Sequence, residues 1–195
     1  MNYLVHLSFS YHKPETIPGN FIYDLLNSTE KRNVDEQLVS GIQLHKFIDH
    51  FSNHHESIRN MTKLLHPAVH KYAPVVSDVL CDWLIFQQWE RWNLPSFTHL
   101  ESTIYEHITK DFRIYPIRLH EPIRSMVSNR WLLNSSNLEG IKAVLLRLNA
   151  KLKFPADLLL SLPIIQSEEK YLDRLFVEFY QDMIQKLNSM DYPSK

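Results

Sequence analysis

Glycine is scarce in this sequence and cysteine nearly absent: three glycines and one cysteine stand beside ten prolines in 195 residues. With Cys81 alone, the chain can build neither an internal disulfide framework nor a cysteine-based zinc site. Cys81 lies in an apolar run at helical spacing, which makes it a core residue rather than a nucleophile. So few glycines leave few places for tight hairpins, and the apolar residues recur at the helical period, so helices joined at proline-marked corners are expected. Excess charge of one sign is missing too. A formal net charge of −1 gives none of the strong positive field that nucleic-acid-binding domains carry, so no nucleic-acid partner is expected. The N-terminus has no basic segment leading into an apolar one, and no run approaches a membrane span. A cytoplasmic protein without membrane attachment follows as the expectation.

Internal repeats, low-complexity tracts, a phosphate-cradling glycine loop and a Gly-x-Ser-x-Gly elbow are also lacking. What is present is length and apolar content. At 44% hydrophobic residues the chain can bury a sizeable core, and we read residues 1–195 as one all-α domain, a helical bundle. Eleven histidines exceed expectation for this length. Their placement matters more than their number.

The stretch from Gly41 to His50 puts ionisable residues where a helix should be apolar. At helical spacing Leu38, Ile42, His45, Ile48, Asp49 and Ser52 share one face, so His45 and Asp49 continue an apolar stripe. Burying an imidazole beside a carboxylate is costly unless each has a partner. A divalent metal held between residues one turn apart satisfies both. A plain hydrogen-bonded His–Asp pair in a core is the alternative for one such pair taken alone.

The same anomaly recurs along the chain. Residues 1–11 alternate like a strand through Tyr3, Val5, Leu7, Phe9 and Tyr11, but no partner strand follows, so a short helix is expected with His6 on a face shared with apolar neighbours. Residues 19–26 begin a second helix with Asn20 as its cap, and place Asp24 in the stripe of Phe21, Leu25 and Ser28. Residues 30–36 form a charged linker. After a polar turn at 53–55, a basic helix carrying Arg59 and Lys63 runs until Pro67 ends it. A long helix over about 69–92 has the apolar face Tyr72, Val75, Val76, Val79, Trp83 and Phe86. Asp78 and Asp82 lie one turn apart on its edge, where two carboxylates repel unless a cation is near. The second half offers amphipathic segments over 97–112, 121–133, 138–152 and 167–190, read as core packing.

His6, Asp24, His45, Asp49, Asp78 and Asp82 thus make six nitrogen and oxygen donors on four expected helices. Imidazole with carboxylate suits manganese, iron or zinc, and helical bundles place metals between facing helices. Such a centre activates water near neutral pH and can clamp a phosphodiester, so the class that follows is a metal-dependent phosphohydrolase.

Met-Asn-Tyr-Leu-Val-His-Leu at 1–7, Gly-Asn-Phe-Ile-Tyr-Asp at 19–24, Gly-Ile-Gln-Leu-His-Lys-Phe-Ile-Asp at 41–49, Arg59, and Tyr-Ala-Pro-Val-Val-Ser-Asp-Val-Leu-Cys-Asp at 72–82 resemble the acyl carrier protein phosphodiesterase family. The match is good over the first half and extends to the second only in helical character. The resemblance implies an all-helical, HD-domain-like fold, a manganese centre with iron as the other candidate, and hydrolysis of the phosphodiester joining 4′-phosphopantetheine to a serine of acyl carrier protein. It implies metal ligation by His6, Asp24, His45, Asp49 and Asp82, with Asp78 bridging or supporting. Asp49, Asp82 and Lys46 become the catalytic candidates, Lys46 standing where the family usually has arginine. Arg59 and Lys71 match basic positions of the family, and with Lys46 and Lys63 they form the surface expected to meet an acidic carrier protein. One departure is plain: the family reads Asp-His where this chain has Asp82-Trp83. A related phosphohydrolase acting on another phosphoester, or a relative that binds metal or carrier protein without turnover, are the other readings. His6 or His50 would have to supply the missing imidazole.

Overall fold

The computed structural model describes residues 3–190, and among these every regular element is helical. The α-helices are α1 (Tyr3–Ser8), α2 (Ile17–Ile22), α3 (Glu36–His54), α4 (Glu56–Val69), α5 (Ala73–Gln87), α6 (Phe97–Thr109), α7 (His120–Ser128), α8 (Leu138–Asn149), α9 (Leu162–Ser167) and α10 (Glu169–Ser189). No helix among the described residues is long and apolar enough to cross a membrane.

The organising element is α5. Ala73, Val76, Ser77, Val79, Leu80, Cys81, Asp82, Trp83, Leu84 and Ile85 are all buried, and from Val79 to Ile85 every residue is, so this helix has no solvent face over its last two turns before Phe86 and must be wrapped by others. It contacts α1, α4, α8, α10 and the 3₁₀ segment Trp131–Ser136. On α10, Leu172, Leu175, Phe176, Phe179, Tyr180 and Met183 are buried, following the repeat read from sequence. Ser8 Oγ meets the Tyr180 hydroxyl at 2.8 Å, tying α1 to this helix. Cys81 is buried, and burial raises its thiol well above the ordinary range.

Two of the three glycines act at one place. A Cβ on Gly19 would stand 2.0 Å from the Leu38 carbonyl oxygen, and one on Gly41 would stand 2.1 Å from that of Thr16. The backbones of α2 and α3 therefore cross in direct contact, which only glycine permits. This crossing sets Asn20 of α2 beside His45 of α3.

Boundaries differ from the sequence reading in several places. Pro67 does not end α4, which continues to Val69; a proline in the last turn costs one backbone bond, and it is His70, at φ 47°, that turns the chain. The expected helix over 69–92 is three elements: a 3₁₀ turn His70–Tyr72, α5, and a 3₁₀ turn Trp89–Trp92 closed by Asn93 at φ 51°. Asn20 is not a helix cap, since α2 already starts at Ile17 with Pro18 in its first turn. The linker 30–36 holds a 3₁₀ turn Glu30–Arg32, and Asp35 caps α3 by accepting the Gln37 N–H.

Candidate metal centre

Three helices bring the site together. His6 comes from α1, His45 and Asp49 from α3, and Asp24 from the 3₁₀ turn Tyr23–Leu25 that extends α2. The residue that orients them is Asn20. Its Nδ2 donates to the His6 carbonyl at 2.8 Å and to Ser10 Oγ at 2.9 Å, so its Oδ1 is left as an acceptor. His6 Nδ1 lies 3.2 Å from that Oδ1, and His45 Nδ1 lies 2.7 Å from the Asn20 backbone carbonyl. Both partners are acceptors, which places the Nδ1 proton on each ring and leaves Nε2 as the exposed lone pair of each neutral imidazole.

Those two lone pairs point at oxygen. His6 Nε2 is 3.4 Å from Asp49 Oδ1, and His45 Nε2 is 3.2 Å from Asp49 Oδ2 and 3.4 Å from Asp24 Oδ1. Donor atoms of His6, His45 and Asp49 all lie within 4.8 Å of one another, a grouping able to hold a metal ion. Neutral imidazole nitrogen facing carboxylate oxygen is acceptor against acceptor, and buried His45 Nε2 has no hydrogen-bond partner of acceptable geometry. Only a proton or a cation between them relieves this. Burial opposes charge on His45, but the negative carboxylates of Asp24 and Asp49, able to accept from a protonated ring, outweigh it and raise the imidazole to about 9. Burial likewise opposes ionisation of Asp49 and Asp24, and the histidines nonetheless hold both carboxyls below their ordinary values. The nitrogen and oxygen donors suit manganese, iron or zinc, and the orphaned nitrogen supplies the place for it.

The centre is asymmetric. The side chains of His6 and His45 are 7% and 3% exposed, whereas those of Asp49 and Asp24 keep 44% and 32%. The nitrogen side is sealed and the oxygen side faces solvent, where a substrate oxygen can arrive.

Asp82 and Asp78 lie outside the triad. Asp82 Oδ1 accepts the Val5 backbone N–H at 2.9 Å, so this buried carboxylate of α5 holds the helix that carries His6. Burial pushes its carboxyl up to about 7, against the Val5 and Leu4 N–H groups that bind the ionised form. Burial also raises Asp78, which lines a cavity of about 320 Å³ together with Asn53, Arg59, Thr62 and Lys63. Lys46 is exposed, its Nζ 5.3 Å from the centre of the Tyr23 ring, which packs 4.9 Å from the His45 ring. Lys31, which sequence reasoning passed over as part of a charged linker, lies 3.9 Å over the same ring. Lys71 turns elsewhere, with Nζ 3.5 Å over Phe154. His50 is exposed and packs on His54 at 4.4 Å, and Trp83 is buried in the core; neither belongs to the triad. Asn20 is the functional residue whose role was missed. Its signal was its place in the Gly-Asn-Phe-Ile-Tyr-Asp stretch at 19–24.

The family model described as acyl carrier protein phosphodiesterase matches residues 1–183. A Photorhabdus laumondii protein named acyl carrier protein phosphodiesterase is 23% identical over 98% of both chains. A Yersinia pestis protein of the same name is 24% identical over 95% of this chain and 97% of its own. An Escherichia coli protein, also so named, is 24% identical over 74% of this chain and 76% of its own. No solved structure matches. With His6, Asp24, His45 and Asp49 inside a family match that runs through nearly all of the sequence, the chain belongs to the acyl carrier protein phosphodiesterase family.

Proposed function

We propose that this protein is a metal-dependent phosphodiesterase of HD-domain type that removes 4′-phosphopantetheine from holo-acyl carrier protein. The observation that carries the reading is the pair of imidazoles, each with Nδ1 turned onto an acceptor of Asn20, whose Nε2 atoms converge on carboxylate oxygens. His6, His45 and Asp49 would hold the cation, with Asp24 beside them, and manganese or iron fits the donor set. A bound divalent ion supplies Lewis acidity toward a phosphoryl oxygen and lowers the pKa of coordinated water.

The chain's own residues do the rest. Asn20 fixes both rings and keeps their Nδ1 protons in place, and Asp82 holds α1 so that His6 stays in register. The exposed edge of Asp49 and Asp24 leaves the open side on which a phosphodiester would sit. Lys46, with Lys31 beside it, offers positive charge near that edge to offset the charge that builds on phosphorus oxygens. Arg59 and Lys63, at the cavity shared with Asp78, are the candidates for meeting an acidic carrier protein. Lys71 is a more distant contributor to that surface, since it is engaged by Phe154. The family and the relatives' names support the activity, and acyl carrier protein is the partner they suggest.

The test is incubation of purified protein, with and without manganese, with holo-acyl carrier protein, followed by intact-mass measurement. Conversion to the apo mass that requires the metal is expected. A carrier protein of unchanged mass under both conditions would contradict the proposal.

A further inference from the structure

A second cavity, of about 400 Å³, opens beside the metal centre between α1, α5, α8 and the segment 131–136. Its volume lies within the roughly 300–1,000 Å³ of small-molecule sites. Tyr3, Leu25 and Asp82 line its inner end. Leu25 directly follows Asp24, and Tyr3, whose phenol burial drives up, feels the charges of both Asp24 and Asp82. The cavity and the candidate centre are thus neighbours.

The walls are largely apolar, with Asp82, Asn134 and Ser135 among them, and one side carries an unused donor. Trp131 lines the cavity, packs edge-on against Tyr3 at 4.3 Å, and has an indole Nε1 that is buried without a partner. A buried N–H left unpaired calls for an acceptor that the protein itself does not provide. Arg147 and Lys151, one turn apart on the α8 side of the cavity, are exposed. Among the described residues neither makes a side-chain hydrogen bond or ion pair.

We infer that this cavity receives the pantetheine arm of the substrate, with Trp131 Nε1 donating to an amide carbonyl of the arm. The inference rests on the function proposed above. The arm is amphipathic, with a gem-dimethyl group next to the phosphate and two amides beyond it. That composition fits largely apolar walls that carry an orphaned donor. On this account the phosphodiester sits on the open side of Asp49 and Asp24, and the arm runs from there past Leu25.

The test compares dissociation constants for free 4′-phosphopantetheine and for inorganic phosphate, measured calorimetrically on the wild type, on Val144→Trp, which fills the cavity, and on Trp131→Phe, which removes the N–H together with one ring of the indole. The wild type should bind 4′-phosphopantetheine at least about tenfold more tightly than phosphate, as expected when apolar contacts and one hydrogen bond are added. Val144→Trp should abolish that advantage, and Trp131→Phe should reduce it about fivefold. Phosphate affinity should hold in both. If Val144→Trp does not fold, Trp131→Phe decides alone. No advantage in the wild type, or an undiminished one in the folded variants, overturns the inference. A wild type that binds the arm through the cavity yet releases none from holo-carrier protein would contradict the hydrolase reading and leave the cavity assignment standing. One that hydrolyses but binds the arm no better than phosphate would contradict the cavity assignment alone.

Discussion

Two buried ionic clusters sit in opposite halves of this molecule and differ in how they are closed. In the second half Glu101 of α6, 3% exposed, takes the Arg130 guanidinium on one oxygen, Nε at 3.1 Å and Nη2 at 2.5 Å. Donor meets acceptor at Oε2, while Oε1 is buried without a partner, and the pair fastens α6 to the turn before Trp131–Ser136. In the first half His6, His45, Asp24 and Asp49 present acceptors to acceptors, and the donors that could have quenched them are turned away onto Asn20. A carboxylate held by a guanidinium is architecture. The His–Asp cluster, with its lone pairs converging and one edge in solvent, is the geometry that the proposed cation would use.

The sharpest way to break the comparison is to remove Arg130. Glu101 would be left buried without its partner, so Arg130→Met should clearly lower stability, since a buried carboxylate loses the charge that compensates it. Metal binding should be unaffected. Denaturant unfolding and metal titration on the same sample check both halves of that statement.

Next in size is Asn20→Ala. It leaves all candidate ligands in place and removes the Oδ1 and Nδ2 that hold His6, so manganese affinity should fall about 10- to 100-fold. Equilibrium dialysis reads this directly, and an affinity within twofold of wild type would mean that the rings are positioned by packing alone.

A smaller effect concerns pH in the metal-free protein. Folding raises His45 from 6.5 to about 9, so its proton is bound more tightly in the folded chain. The stabilisation is complete below about pH 6.5 and is lost as pH rises through about 9, by roughly 2 kcal/mol once the exposure of Asp49 is allowed for. Urea unfolding of chelator-treated protein across that window should show the decline, and His45→Gln should remove it.

What was legible in the sequence follows from range. His45 and Asp49 stand one turn apart on an otherwise apolar face, so the burial of His45 could be read from helical spacing; Asp49, expected to be buried with it, keeps 44% of its side chain in solvent, and the structure places both at one centre. His6 and Asp24 were readable only as anomalies, because nothing local says which helices meet. Asn20 was misread because a polar residue after glycine looks like a cap. The earlier start of α2 at Ile17 and the Gly19–Gly41 crossing turn it inward instead. Pro67 and the division of residues 69–92 were misjudged because apolar periodicity runs straight through His70, whose backbone alone breaks it. Lys71 was grouped with the basic surface by its position along the chain, and a contact with Phe154, more than eighty residues away, draws it aside. The Glu101–Arg130 pair had no local signature at all.

The central claim is that the convergence on α1 and α3 is a cation site and not a second structural ion pair. Manganese bound per chain, measured by equilibrium dialysis at neutral pH on wild type, His45→Ala, Asp49→Ala and Arg130→Met, tests it most directly. Wild type and Arg130→Met should bind manganese alike, while His45→Ala and Asp49→Ala should each lose at least about tenfold in affinity and still unfold cooperatively. Unchanged manganese binding in both His45→Ala and Asp49→Ala would contradict the account.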